Sequence, residues 1–139
     1  MTTYRYQFEL DLLKQLLPLD RFKFSNGADS QELLLVTEPA PGKWYVLKFY
    51  LENFPDSLLD VTVHHPKPLK MKDGTLMTNA SLAMHCLGER DGCTKLCLYK
   101  DWDVKFTLVQ VFLRSALWLQ AYEWHLETGN NLDYYLSHA

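Results

Sequence analysis

The sequence lacks the features by which membrane, secreted and nucleic-acid-binding proteins are usually identified. No segment approaches the roughly 18 uninterrupted apolar residues that a transmembrane helix requires. The N-terminal stretch MTTYRYQFELDLLKQ carries charges within its apolar residues, which is atypical of a signal peptide. A net charge of -3 provides no positive field for non-specific nucleic-acid binding. We therefore predict a protein that contacts neither a membrane nor nucleic acid.

Cysteine is scarce, and its number is odd. The 139-residue chain has three cysteines, Cys86, Cys93 and Cys97. A chain of this length buries a sufficient core without disulfides, so the odd count indicates free thiols in a reducing compartment. The short two-cysteine hooks of structural zinc sites are absent, although a zinc module using these cysteines and His85 stays an alternative. We predict a cytoplasmic protein that holds no metal and no cofactor.

Several catalytic motifs are also missing. The sequence has no serine nucleophile elbow, no glycine-rich phosphate loop and no HExxH helix. It also has no internal repeat and no low-complexity tract. Hydrophobic residues make up 47% of the chain and aromatic residues 14%, which indicates a globular protein. We predict a single domain over residues 1–139.

Hydrophobic periodicity predicts two helices and four strands. The helices are predicted over 4–17 and over 107–128, where Gly129 suits the position of a C-cap. The strands are predicted at 21–24, 32–38, 44–51 and 59–65, and the turns between them favour an antiparallel meander. Between 66 and 95 the periodicity fades. A segment of that length is predicted to be a long functional loop.

The stretch CTKLCLYKDW places Cys97 between two leucines at the end of this predicted loop. On its own that setting favours an inert buried thiol, whereas a nucleophile must be accessible and ionised. His85 precedes it by twelve residues and could hold the loop, donate to an oxyanion or assist deprotonation. Asp101 could orient an incoming lysine. Asp101 and Asp103 could instead complement the dipole of the following helix, with Asp103 as its cap.

The order of these elements resembles the ubiquitin-conjugating (E2) fold. The stretch LCLYKDWDVKFTLVQVFLRSALWLQAYEWHLETG (96–129) resembles bacterial E2-like proteins of antiphage operons, including the cyclic-oligonucleotide signalling (CBASS) systems. The resemblance is strong over 96–129 and moderate over 44–68. It implies an α+β fold with an N-terminal helix, a four-stranded antiparallel meander, a long active-site loop and a long C-terminal helix.

Specific roles follow from the resemblance. It implies that Cys97 accepts the C-terminus of a partner protein as a thioester, and His85 matches the histidine of the family's His-Pro-Asn element. Trp102 matches the tryptophan that packs the cysteine loop, with Tyr99 as further support, and Asp101 is the third candidate catalytic residue. The implied partner is a cGAS-like nucleotidyltransferase, whose C-terminus is held covalently or passed to a target-protein lysine. The alternative is a non-catalytic E2-like scaffold that binds and regulates the nucleotidyltransferase, with Cys97 structural or disulfide-forming.

The sequence departs from the family pattern directly after the histidine. Cys86 and Leu87 follow His85, so the proline and the asparagine of the element are both missing. That asparagine is thought to stabilise the oxyanion during attack by lysine. Transfer to an amine is therefore less firmly implied than thioester formation. Asn79 could replace the asparagine, but no spacing indicates that it does.

Overall fold

The computed structural model describes residues 1–136, which form a seven-stranded antiparallel sheet with an N-terminal and a C-terminal helix. The helices are α1 (Thr3–Leu16) and α2 (Leu108–Thr128). The strands are β1 (Phe22–Phe24), β2 (Glu32–Ala40), β3 (Lys43–Tyr50), β4 (Val61–His65), β5 (Ala80–Ser81), β6 (Cys86–Arg90) and β7 (Cys93–Leu96). Across the sheet their order is β1-β2-β3-β4-β7-β6-β5.

The prediction of an E2 fold built on a four-stranded meander is wrong, although the α+β class is correct. Strands form at all four predicted places, as β1 to β4. Three more strands then extend the sheet beyond β4, where Thr62 pairs with Lys95 of β7. The segment predicted as a long loop therefore contributes β5, β6 and the start of β7.

A tight turn explains why this segment forms a hairpin. Arg90 pairs with Cys93, so Asp91 and Gly92 form a two-residue connection between β6 and β7. Their φ angles are 54° and 78°, in the left-handed region at both positions. Turns of this geometry match the right-handed twist of paired strands, and Asp-Gly is one of the residue pairs that favour them.

Both predicted helices are confirmed. Thr107 begins α2 with a capping box, in which its side chain accepts from Gln110 N and the Gln110 side chain accepts from Thr107 N. Gly129 ends the helix with a φ of 80°, as the sequence predicts. The prediction that Asp103 caps α2 is wrong, because its carboxylate instead accepts the backbone N–H of Lys105 at 2.8 Å.

One hydrophobic core joins the sheet to both helices. Leu33 and Leu35 of β2 alternate with more exposed neighbours, which gives the strand one buried face. On the helix side, Trp118 of α2 is 1% exposed and Leu13 of α1 is fully buried. Each such side chain contributes about 1.5–3 kcal/mol by leaving water. Helix α2 is therefore fixed against the sheet, and Trp118 Nε1–H donates to the carbonyl oxygen of His85, directly before β6.

An ion pair within α1 contacts the chain at the start of α2. The Glu9 carboxylate accepts from Arg5 Nε at 3.0 Å and from the backbone N–H of Leu108 at 2.8 Å. The other guanidinium nitrogens of Arg5 donate to the carbonyl oxygens of Val104 and Phe106. Burial raises the pKa of Glu9, while the Leu108 N–H and Arg5 oppose that shift. These contacts hold the segment before α2 against α1.

No helix within residues 1–136 combines the length and the apolar character needed to cross a membrane.

Candidate functional site

Cys97 follows the last residue of β7 and differs in burial from the other two cysteines. All three cysteines are free; Cys86 and Cys93 are buried, whereas Cys97 is partly exposed. The backbone N–H of Cys97 donates to the carbonyl oxygen of His85 at 2.9 Å. The hairpin formed by β6 and β7 therefore brings together two predicted site residues that are twelve positions apart.

His85 lies directly before β6 and is held by its own backbone and by α2. Its φ is 49°, a left-handed conformation that costs a non-glycine residue roughly 1–2 kcal/mol. Besides the Cys97 N–H, its carbonyl oxygen accepts Trp118 Nε1–H at 2.7 Å. The side chain is 3% exposed, and its Nε2 lies 2.8 Å from Oδ1 of Asp133. The imidazole is thus buried beside a carboxylate.

Two cavities meet at Cys97 and His85. One has a volume of about 190 Å³ and is also lined from the α2 side by Leu98, Arg114, Leu117, Trp118, Tyr135 and Leu136. The other has a volume of about 220 Å³ and is also lined by Ala80, Ser81, Leu82, Cys86 and Leu87. Cys97 and His85 are the two residues that line both of these cavities.

Burial makes the other two thiols poor nucleophiles. Burial raises the pKa of Cys86, and the nearby Cys97 adds to that shift. Burial also raises the pKa of Cys93. A thiol must ionise to act as a nucleophile, so burial disfavours attack by either of these cysteines. Cys97 is the cysteine that combines solvent access with a cavity.

Arg114 supplies a positive charge to the cavity on the α2 side. Its Nε donates to the carbonyl oxygen of Leu98 at 2.9 Å, and its guanidinium lies 5.2 Å from the centroid of the Tyr99 ring. In the sequence, Arg114 is distinguished only by its polar place on a largely apolar helix. Arg114 therefore contributes to the α2 side of the cavity while it is held by the segment after Cys97.

An aromatic cluster supports the segment after Cys97. Trp102 lies 6.1 Å from Tyr99, 5.3 Å from Phe106 and 6.2 Å from Phe54 between ring centroids. Trp102 Nε1–H also donates to the carbonyl oxygen of Pro55 at 2.7 Å. These contacts tie the cysteine segment to residues before β4, and the supporting role of Trp102 and Tyr99 for a reactive cysteine stays a prediction.

Asp101 and Asn79 do not line the two cavities at Cys97. Asp101 is exposed on the segment between Cys97 and α2, and its catalytic role stays a prediction. Asn79 lines a third cavity, of about 210 Å³, and its carbonyl oxygen accepts the Cys86 thiol at 3.3 Å. The structure therefore gives no support to Asn79 as a replacement oxyanion donor for Cys97.

The four residues of the zinc alternative do not form a ligand cluster. The Cys93 thiol is directed at the carbonyl oxygens of His64 and Asp91, at the turn end of the hairpin. Within the described residues, no three His, Cys, Asp or Glu side chains are close enough to hold a metal ion together. The donor set that is present does not fit a structural zinc site.

Comparisons with known proteins do not assign a function, so the assignment depends on the geometry of the site. The chain matches no protein-family model, and comparisons with curated proteins and with solved structures find no match. The geometry defines a class of site: a partly exposed cysteine next to a buried histidine, whose ring contacts a half-exposed carboxylate, at the junction of two cavities.

Proposed function

We propose that this protein is a thiol-dependent acyl carrier. Cys97 accepts the C-terminal acyl group of a partner polypeptide as a thioester, then holds it or passes it to an amine. The observation that supports this most strongly is the position of Cys97. It is the partly exposed member of three free cysteines, and it lies with His85 where two cavities meet.

The chemistry requires an acyl donor that is already activated, as an adenylate or as another thioester. The Cys97 thiolate attacks the donor carbonyl carbon, a C–S bond forms, and the bond to the leaving group breaks. The proton lost by the thiol ends on the leaving group or in solvent. In the second step an amine attacks the thioester carbon, a C–N bond replaces the C–S bond, and the thiol is regenerated.

The two cavities give each reactant its own approach to the sulfur. On the α2 side, the cavity lined by Arg114, Leu117 and Trp118 is where we place the polypeptide tail. Across Cys97, the exposed side chains of Leu82 and Leu87 make the second cavity more apolar. His85 borders both and can accept or return a proton as each step requires. In this proposal Asp101 assists from the exposed segment, where it can attract a lysine.

The partner and the compartment are further parts of the proposal. The resemblance of residues 96–129 to the conjugating proteins of antiphage operons supports a cGAS-like nucleotidyltransferase as the protein whose C-terminus is captured. A lysine of a target protein is the acceptor. Three free cysteines support a reducing compartment, and we place the reaction in the cytoplasm.

A second candidate function is a binding scaffold in which Cys97 does no chemistry. The observation in its favour is the exposed apolar surface beside the site, where Leu117 of α2 is 58% exposed and Leu82 is 79% exposed. Contiguous apolar surface often marks a protein–protein contact. A scaffold would bind its partner without forming an adduct that requires the sulfur of Cys97.

A synthetic peptide thioester of a small thiol tests the first function against the second. Exchange transfers the peptidyl group to Cys97 and releases the small thiol, and intact-mass spectrometry records the adduct. We expect the Cys86→Ala/Cys93→Ala double variant to form it and Cys97→Ala to lose it. Cys97→Ser should give a reductant-stable ester or no adduct. Adduct formation that survives Cys97→Ala, or that is no faster than in the urea-unfolded protein, would overturn the proposal.

A further inference from the structure

Asp133 is a residue that no sequence pattern connects with the thiol site. It lies in the 3-10 turn Leu132–Tyr134, 48 positions after His85, and its Oδ1 is 2.8 Å from His85 Nε2. We propose that Asp133 is a positioning residue, which sets the orientation and the tautomer of the His85 imidazole for proton transfer at Cys97. This inference rests on the proposed acyl-carrier function.

The tautomer follows from the chemistry of the carboxylate. An ionised carboxylate only accepts hydrogen bonds, so the neutral imidazole at 2.8 Å must carry its proton on Nε2. The lone pair then lies on Nδ1. His85 and Cys97 line both cavities, and the Cys97 N–H donates to the His85 carbonyl oxygen, so the two residues are neighbours at the site. A carboxylate that fixes the tautomer of a histidine in this way is a recurring part of nucleophilic sites.

The turn holds Asp133 independently of its side chain. Leu132 is fully buried, and the backbone N–H of Asp133 donates to the carbonyl oxygen of Ala83 at 2.9 Å. The hydroxyl group of Tyr135 lies 2.6 Å from that of Thr128 at the end of α2. Replacement of the Asp133 carboxylate therefore removes the contact with His85 while these anchors of the turn remain.

Stability alone does not account for this contact. The Asp133 side chain is 52% exposed, and ion pairs with a solvent-exposed partner typically contribute only about 0–1 kcal/mol. The His85 imidazole, by contrast, is buried and needs a defined hydrogen-bond partner. The difference in burial between the two side chains therefore agrees with a carboxylate that acts mainly on the histidine.

Three full-length variants test the proposal. Asp133→Ala removes the acceptor, whereas Asp133→Asn keeps an oxygen that can accept from Nε2–H. Asp20→Ala is the matched control, because Asp20 occupies the same middle position in the 3-10 turn Leu19–Arg21, next to β1. The readouts are the rate of peptide-thioester exchange at Cys97 and the His85 ring tautomer, from long-range ¹H–¹⁵N NMR correlations.

We expect Asp133→Ala to slow exchange by about 10- to 100-fold and to shift the ring away from the Nε2–H tautomer. Asp133→Asn should keep most of the exchange rate and most of the Nε2–H tautomer. Asp20→Ala should match the wild type in both measurements. A wild-type ring with its proton on Nδ1, or a rate in Asp133→Ala within about twofold of the wild type, would overturn the inference. If wild-type protein forms no adduct, the acyl-carrier function fails. The NMR comparison then still decides whether Asp133 sets the tautomer.

Discussion

The carbonyl oxygen of His85 accepts the backbone N–H of Cys97 at 2.9 Å, so the two residues are joined through the main chain. Trp118 Nε1–H donates to the same oxygen at 2.7 Å. The position of the thiol relative to the histidine therefore depends on the β6–β7 hairpin and on α2, which are both parts of the packed core. A site fixed in this way is preorganised, since little of its geometry has to form when a reactant binds.

Selective alkylation tests the difference among the three thiols. With iodoacetamide near neutral pH, we expect Cys97 to react at least about tenfold faster than Cys86 or Cys93, because burial hides those thiols and raises their pKa values. Peptide mapping by mass spectrometry measures each rate. Cys97→Ala should leave only slow labelling of the folded protein. Rapid labelling of Cys86 in that variant would contradict the assigned burial.

The parts of the fold that the sequence predicted well are those with local signals. Helix α2 has a broad apolar stripe, a Thr107 cap and a terminal Gly129, and all of these lie within one continuous segment. Strands β1 to β4 also alternate or contain branched and aromatic residues. By contrast, β6 reads Cys-Leu-Gly-Glu-Arg, which has too little apolar alternation to suggest a strand. Its pairing depends on β7, and the local signal for this hairpin is the Asp91-Gly92 pair alone.

The same distinction between local and distant signals applies to the site. Cys97, Trp102 and His85 could be selected because thiol, indole and imidazole groups are chemically distinctive within one stretch of sequence. Asp133 could not, because an aspartate in a C-terminal turn is an ordinary surface residue until the fold places it beside His85. Arg114 was equally inconspicuous, since its relation to Cys97 depends on how α2 packs.

The hairpin turn should be sensitive to a side chain at Gly92. A Cβ there would meet no atom within 4 Å, so the cost of Gly92→Ala comes from its φ of 78° alone. We expect a loss of about 1–2 kcal/mol in the free energy of unfolding, measured by urea titration. Gly92→Asn is the matched control and should lose less, because asparagine tolerates this conformation better. Equal losses in the two variants would argue against a left-handed turn.

The buried carboxylate of Glu9 should be important for the contact between the helices. Glu9→Ala leaves Arg5 Nε and the N–H of Leu108 without their acceptor, although Arg5 keeps its bonds to Val104 and Phe106. We expect a loss of about 2–3 kcal/mol in urea unfolding, since the buried N–H of Leu108 is left unsatisfied and a charge-assisted hydrogen bond is lost. Gln7→Ala, at an exposed position of the same helix, should change stability by less than about 0.5 kcal/mol. A small loss in Glu9→Ala would show that water replaces the carboxylate.

The pH dependence of stability should carry the signature of Glu9. Its pKa is raised in the folded protein, first by burial, so the native state binds the proton more tightly than the unfolded state does. The resulting stabilisation is fully present below the unfolded value of about 4.5 and is lost as pH rises through the higher folded value. We expect Glu9→Gln to abolish this component in urea titrations at several pH values above 4. An unchanged pH profile would contradict the raised pKa.

Trp102 should support both the stability of the cysteine segment and its reactivity. Its ring contacts Phe54 and Phe106, and its Nε1–H donates to Pro55 O at 2.7 Å. Trp102→Ala removes all of these contacts and should cost about 2 kcal/mol, below the loss for a fully buried aromatic, because the side chain is partly exposed. Trp102→Phe keeps an aromatic ring and should cost about 1 kcal/mol, chiefly through the lost hydrogen bond. If the cluster holds the segment that follows Cys97, peptide-thioester exchange under native conditions should fall in the same order, with Trp102→Ala slowest. Exchange that stays at the wild-type rate while stability falls would assign Trp102 to the core alone.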